Sequence, residues 1–284
     1  MAVHKQNYRG YAGRLTPLRS RFLIVTRYAF KNVFTSKLIT AIFVISFFYP
    51  LGCAVAIYLN ANASLMAMLK ISRVFEVDGR FFFHFLNAQG VMAFVLTALV
   101  GPGLISPDLA NNALPLYLCR PFSRAEYVLG KMAVMVTLLS TITWIPGLAL
   151  FAIQASVAGG WLRPNLWIGG SIVVGSAVWI ATLCLLALAL SAWIKRKLAA
   201  GAALLGVFFF GAGLGQAFNA VIGTRVGSLL NVGELIGSVE ISLFRTGSEP
   251  PIPSDAAWLA LGVLGVFCVW LLERKVRAYE VVKG

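Results

Sequence analysis

The side chains best equipped for chemistry lie between residues 101 and 131. That stretch reads Gly-Pro-Gly-Leu-Ile-Ser-Pro-Asp-Leu-Ala-Asn-Asn-Ala-Leu-Pro-Leu-Tyr-Leu-Cys-Arg-Pro-Phe-Ser-Arg-Ala-Glu-Tyr-Val-Leu-Gly-Lys. Its pattern predicts two helix starts. Ser106, Pro107 and Asp108 supply an N-cap, a proline at the first helical position and an acid in the first turn. Ser123 and Glu126, three residues apart, form a capping box. Arg120 precedes Pro121, and a residue before proline avoids helical angles, so the first helix ends there. A short helix followed by a sharp turn into a longer one is the expected result. A purely structural role accounts for the caps, the prolines and the presence of basic residues. It does not account for Arg120 and Arg124 flanking a rigid turn, with Tyr127 one helical turn on.

Other chemistries lack their residues. Gly130-Lys131 is followed by Met132, and Ala125 stands where a phosphate-binding loop needs its first glycine, so there is no Walker A motif. The apolar segments carry no carboxylate or histidine for a proton relay. No histidine stands near a membrane serine as a base, so Ser171 and Ser176 read as packing residues. Of the two histidines, His84 sits in a phenylalanine cluster and reads as interfacial. The four cysteines show no C-x-x-C pair and suggest neither a metal site nor a disulfide framework. No catalytic, cofactor-binding or metal-binding residue is expected.

The elements that carry this loop are apolar to an unusual degree. Hydrophobic residues make up 59% of the 284-residue chain and charged residues 12%. An ordinary soluble domain has about a quarter of its residues charged. So few charges cannot cover a water-soluble globule, and so much hydrophobicity excludes a disordered chain. A bilayer crossing needs about 20 apolar residues. Clear runs occupy 38–59, 132–151, 167–194, 198–222 and 256–272, and a weaker one, 88–105, begins early in the phenylalanine cluster at 81–85. Lys195, Arg196 and Lys197 split the long run from 167 to 222 into a tight hairpin. The expectation is an all-α integral membrane protein with six transmembrane helices.

Orientation follows from Lys and Arg, which favour the cytoplasmic side. With six crossings, 18 of the 24 basic residues fall on the side of the N-terminus and six on the other. Both termini are therefore expected in the cytoplasm, in a cytoplasmic (inner) membrane. The chain divides into a basic tail with an interfacial helix (1–37), the six-span domain (38–272) and a cytoplasmic tail (273–284). The net charge of +14 belongs to this asymmetry. No soluble region remains to carry a nucleic-acid site, so nucleic acid is not an expected partner.

Three further segments stand out. Residues 20–37 form an amphipathic pattern, with Phe22, Leu23, Val25, Ala29, Phe30, Val33 and Phe34 on one half and Arg21, Arg27 and Lys31 on the other. That suits a helix in the cytoplasmic interface, basic face toward anionic membrane lipids, either as an anchor or also touching a partner. Residues 223–255 are expected outside, as short helices dipping into the outer interface, either a gate or a surface cap. Gly211, Gly213 and Gly215 allow close helix approach in the fifth span, within the bundle or at a dimer contact. Pro146 predicts a kink in the third span, with Ser140, Thr141 and Thr143 beside it. Those hydroxyls, with Gln216 and Asn219, either line a path or satisfy freed backbone groups.

The 106–131 loop resembles the permease subunits of type-two ABC exporters. The family carries Ser-Arg-Pro, an apolar residue, then Ser-Arg-x-x-Tyr-x-x-Gly-Lys ahead of its third span. Here Cys119-Arg120-Pro121-Phe122-Ser123-Arg124 leads to Tyr127 and Gly130-Lys131, with Cys119 where serine is common. The resemblance implies a second permease subunit in the membrane and a separate cytoplasmic ABC ATPase. That ATPase would bind a coupling helix at about 106–124, with the N-terminal interfacial helix joining the contact. It assigns ATPase coupling to Asp108, Arg120, Pro121, Ser123, Arg124, Tyr127 and Lys131. The implied function is export powered by the partner, with no catalysis in this chain. A scaffold or assembly subunit that moves nothing, and an ion-independent carrier or channel, are the other readings. The uncharged bundle mildly favours a lipid-like or hydrophobic cargo over a small ion.

Overall fold

The computed structural model describes residues 21–62, 76–111 and 123–275. Among them the only regular structure is helical. Six helices are long and apolar enough to cross a membrane, as expected of a multi-pass membrane protein. The first runs Lys37–Ala61 and is built of α2 (Lys37–Ile45) and α3 (Phe48–Ala61), after a preceding helix α1 (Arg21–Val33). The second, Gly79–Ala110, consists of α4 (Gly79–Val100) and α5 (Pro102–Ala110). The third, Arg124–Val157, consists of α6 (Arg124–Ile142) and α7 (Trp144–Val157). The fourth and fifth are the unbroken α8 (Leu162–Trp193) and α9 (Lys197–Ile222). After a 3-10 turn (Val226–Leu230) and α10 (Val232–Leu243), the sixth is α11 (Ser254–Lys275).

Each break has a local cause. Pro50 has no N–H for the carbonyl of Ser46 four residues back. The chain interrupts there, and that carbonyl instead accepts the side-chain amide of Gln89 at 3.0 Å. Pro146 likewise deprives Ile142, and the third span breaks at Thr143, as the sequence predicts. The Thr143 hydroxyl donates to the Leu139 carbonyl at 2.8 Å, while Thr141 donates to Thr137. These hydroxyls therefore serve the backbone. The second span begins at Gly79, ahead of the phenylalanine cluster, with Asp78 as its N-cap. The α8–α9 hairpin closes at residues 194–196, on the basic triplet.

The second, third and fourth spans form the buried heart of the bundle, and the first, fifth and sixth are mostly outward-facing. Phe209, Phe210, Val263, Val266 and Phe267 are exposed, an arrangement suited to lipid and not to water. One end of the bundle is basic: α1, α5, the start of α6, the α8–α9 hairpin and the end of α11 gather there. At this end the Trp193 indole donates to the Leu271 carbonyl at 3.2 Å, and Lys275 lies over the Trp193 ring. At the far end Arg80 donates to the Thr246 carbonyl at 2.8 Å and Arg245 lies over Trp167.

The segment expected to stay at the outer surface goes deeper. Gly223, at φ 69°, ends α9 in the left-handed conformation glycine tolerates. The chain then turns back along α9, and the 3-10 turn lies on Gly215 and Gly211. A Cβ on either glycine would sit 2.5 Å from the carbonyl oxygen of Gly227 or Leu230, respectively. Gly211 is eleven residues before Ile222, about 16 Å at 1.5 Å per residue, so the turn reaches the middle of the helix. Asn219 secures it, accepting from the Gly227 N–H at 2.7 Å and donating to Ser228 at 3.0 Å. Asn231 then caps α10, which climbs back to the far end. The glycines thus admit a re-entrant turn and not another span, and Gly213 faces open space.

Candidate functional site

The basic end brings three of the sequence-predicted residues into contact. Asp108, on α5, accepts a hydrogen bond from the Tyr127 hydroxyl at 2.6 Å and an ion pair from Lys131 Nζ at 2.8 Å. Tyr127 is fully buried, and the side chains of Lys131 and Asp108 are 9% and 18% exposed. Tyr127 and Lys131 lie four residues apart, hence on one face of α6. Lys131 Nζ is also 5.5 Å from the Tyr127 ring centre. A carboxylate held by a cation and a phenol in a nearly dry setting fixes both helices in one geometry.

Ser123 acts as expected. Its hydroxyl accepts from the Glu126 N–H at 3.2 Å, and the Glu126 carboxylate accepts from the Ser123 N–H at 2.6 Å. The complete capping box sets the first turn of α6, so Arg124 stands exposed on a helix start with a defined direction. Arg120 and Pro121 lie outside the described residues, as do Cys119 and the predicted end of the first helix.

Ser106 is a correction. It is not an N-cap, because α5 already begins at Pro102, directly after Gly101, and holds Pro107 inside it. Proline fits the first helical turn, and that start is taken at Pro102. Ser106 instead forms a clasp with α8. Its hydroxyl donates to the Ile194 carbonyl at 2.7 Å, and its N–H donates to the Ser191 hydroxyl at 2.9 Å. Ser191 Oγ in turn lies 3.1 Å from the Pro102 carbonyl. Asp108 consequently sits in the second turn of the helix, where its charge serves Lys131 rather than the helix terminus.

Helix α1 docks beside the elbow that α5 and the start of α6 make where Asp108 joins them. The Thr26 hydroxyl donates to the Gly130 carbonyl at 3.0 Å, and Val33 is buried with Ala29 and Phe30 against the core. Arg27 and Lys31 are exposed, matching the amphipathic pattern. Thr26 escaped the sequence reading because a lone threonine among apolar residues carries no signal of its distant partner. Between α1, α2, α4 and α5 lies a cavity of about 240 Å³, with Asp108, Lys131 and Lys197 on its wall.

The expected absence of a carboxylate in the bundle is also corrected. Glu240, on the re-entrant α10, is fully buried. Asn87 donates to its Oε2 at 3.2 Å, while Oε1 has no hydrogen-bond partner. The signal was in the sequence: Glu240 stands in the apolar run Gly-Ser-Val-Glu-Ile-Ser-Leu, but an outer-surface placement hid its meaning. Among the described residues no group of three or more His, Cys, Asp or Glu could hold a metal.

No family model matches this chain, and no curated protein matches it either.

Proposed function

We propose that the chain is the permease subunit of an ATP-binding-cassette exporter, paired with a second permease subunit and driven by a separate ATPase. In this reading the basic end faces the cytoplasm, in keeping with its excess of Lys and Arg. The ATPase docks on the elbow formed by α5 and the start of α6, with α1 beside it. The observation that carries the reading is the double hold on Asp108 by Tyr127 and Lys131. It makes the two arms of the elbow one body, so a push from a nucleotide-driven partner is transmitted and not absorbed. The chain supplies positioning and a path. The work comes from the partner, and the outward apolar faces of α2, α3 and α9 suit a dimer whose path accepts a hydrophobic cargo.

Affinity purification of the full chain from its native membrane tests this. The expected result is recovery of a Walker-type ATPase with the wild type and its loss with Arg124→Glu, at unchanged expression and thermal stability. Recovery of the same ATPase with both forms removes the elbow from the contact. Recovery of none with the wild type removes the exporter reading and leaves a scaffold.

A further inference from the structure

We propose that Glu240 is a proton-binding site: protonated, it seals the re-entrant helix α10 into the bundle, and ionised, it releases that helix toward water. The inference does not depend on the transport reading.

The geometry is that of a carboxyl group with little to keep it charged. Glu240 is fully buried, has one amide donor in Asn87, and leaves Oε1 without a partner. Its Cγ packs 3.8 Å from where a Cβ on Gly175 would stand. On the same stretch of α8, Ser176 Oγ and Trp179 Nε1 also lack hydrogen-bond partners. The Trp179 indole favours the ionised form without reaching hydrogen-bond geometry.

Among the described residues, no cation of the surrounding elements reaches Glu240. On α4, Arg80 is bound to the Thr246 carbonyl and the His84 side chain is exposed. On α8, Arg163 lies in the first turn, and on α9 Lys197 lies at the opposite end of the molecule. Arg225 precedes the 3-10 turn, and Arg245, beyond α10, covers Trp167. On α11, Asp255 opens the helix, while Glu273, Arg274 and Lys275 close it at the basic end. Glu234 stands in the first turn of α10.

A buried carboxyl in such a place takes up a proton instead of remaining charged. Burial pushes its pKa up from the ordinary 4.5 to about 8. Between those values the sealed form holds a proton that a hydrated Glu240 gives to water. The ratio of sealed to released α10 therefore falls as pH rises, by up to about tenfold per pH unit, and levels off above the upper value. Glu240 is the ionisable member of the buried face of α10, which otherwise presents Val232, Leu235, Ile236, Ser238 and Val239.

The test uses the full chain in lipid nanodiscs. Infrared titration follows the protonated-carboxyl band, and amide exchange of 232–243, corrected for the intrinsic effect of pH, follows release. A band present at about pH 6, lost near the upper pKa and missing from Glu240→Gln supports the site. So does exchange that accelerates at least tenfold over the same range in the wild type and stays flat in the variant. Asn87→Leu, which removes the one donor to the ionised form, moves the midpoint upward and serves if Glu240→Gln does not fold. A wild type without the band at about pH 6, a band that persists in Glu240→Gln, a midpoint unmoved by Asn87→Leu, or equal exchange profiles overturns it.

Discussion

Asp108 and Lys131 meet at 2.8 Å across the elbow, one from each helix, with the Tyr127 hydroxyl on the same carboxylate. Removing one member of such a pair strands the other charge. Asp108→Asn should cost about 3 kcal/mol, the lower part of the range for buried pairs, because Asp108 retains some exposure. Asp108→Leu with Lys131→Met and Tyr127→Phe should recover most of that loss, since apolar replacement of every partner is often neutral. Thermal unfolding of the detergent-solubilised chain checks both. If the pair's role is to hold the elbow to its ATPase, the triple variant regains stability without regaining the partner.

The capping box can be removed with little else. Ser123→Ala should destabilise the start of α6 by about 1 kcal/mol. Faster amide exchange confined to the first turn, residues 124–128, is the expected reading. A change spread over the whole bundle would mean that Ser123 does more than cap.

Two glycines and their neighbour make a controlled set. Gly211→Ala and Gly215→Ala place a methyl 2.5 Å from a carbonyl oxygen of the re-entrant chain, which should cost about 1–3 kcal/mol and lift the 3-10 turn. Gly213→Ala meets open space and should be neutral or slightly stabilising through helix propensity. Labelling of a cysteine introduced at Ser228 reports the lift. Equal labelling in all three variants would contradict the packing of the turn on α9.

Gln89 compensates for Pro50. Gln89→Leu leaves the Ser46 carbonyl buried without its donor and should cost about 1–3 kcal/mol. Pro50→Ala supplies a backbone N–H for the same carbonyl, so the double variant should be more stable than Gln89→Leu alone. Thermal unfolding of the three proteins gives the comparison.

Much of this was readable in the residues. The apolar runs located the spans because a bilayer imposes a length, and Pro146 located a break because its ring removes a donor. The capping box was legible because both partners lie within one turn. What stayed hidden depends on distant partners. Ser106 looked like a cap until Ser191 was beside it, and Thr26 has nothing local to mark Gly130. Gly211 and Gly215 announced close approach without saying to what. Glu240 is missed because a twelve-residue helix is too short to read as a span, so the sequence alone leaves its charge to water.

The clasp between Ser106 and Ser191 has a mechanical corollary. Helix α8 runs without interruption from that clasp to Ser171, whose hydroxyl holds the Leu243 carbonyl of α10 at 2.8 Å. The two hydroxyls are twenty residues apart, about 30 Å along the axis. Between Ser171 and Ser191 the sequence offers no proline and a single glycine, Gly175, which is packed tightly against Leu86. A single stiff strut therefore pins the elbow at one extremity and the folded-back helix at the other, and thrust applied to the first arrives at the second as displacement.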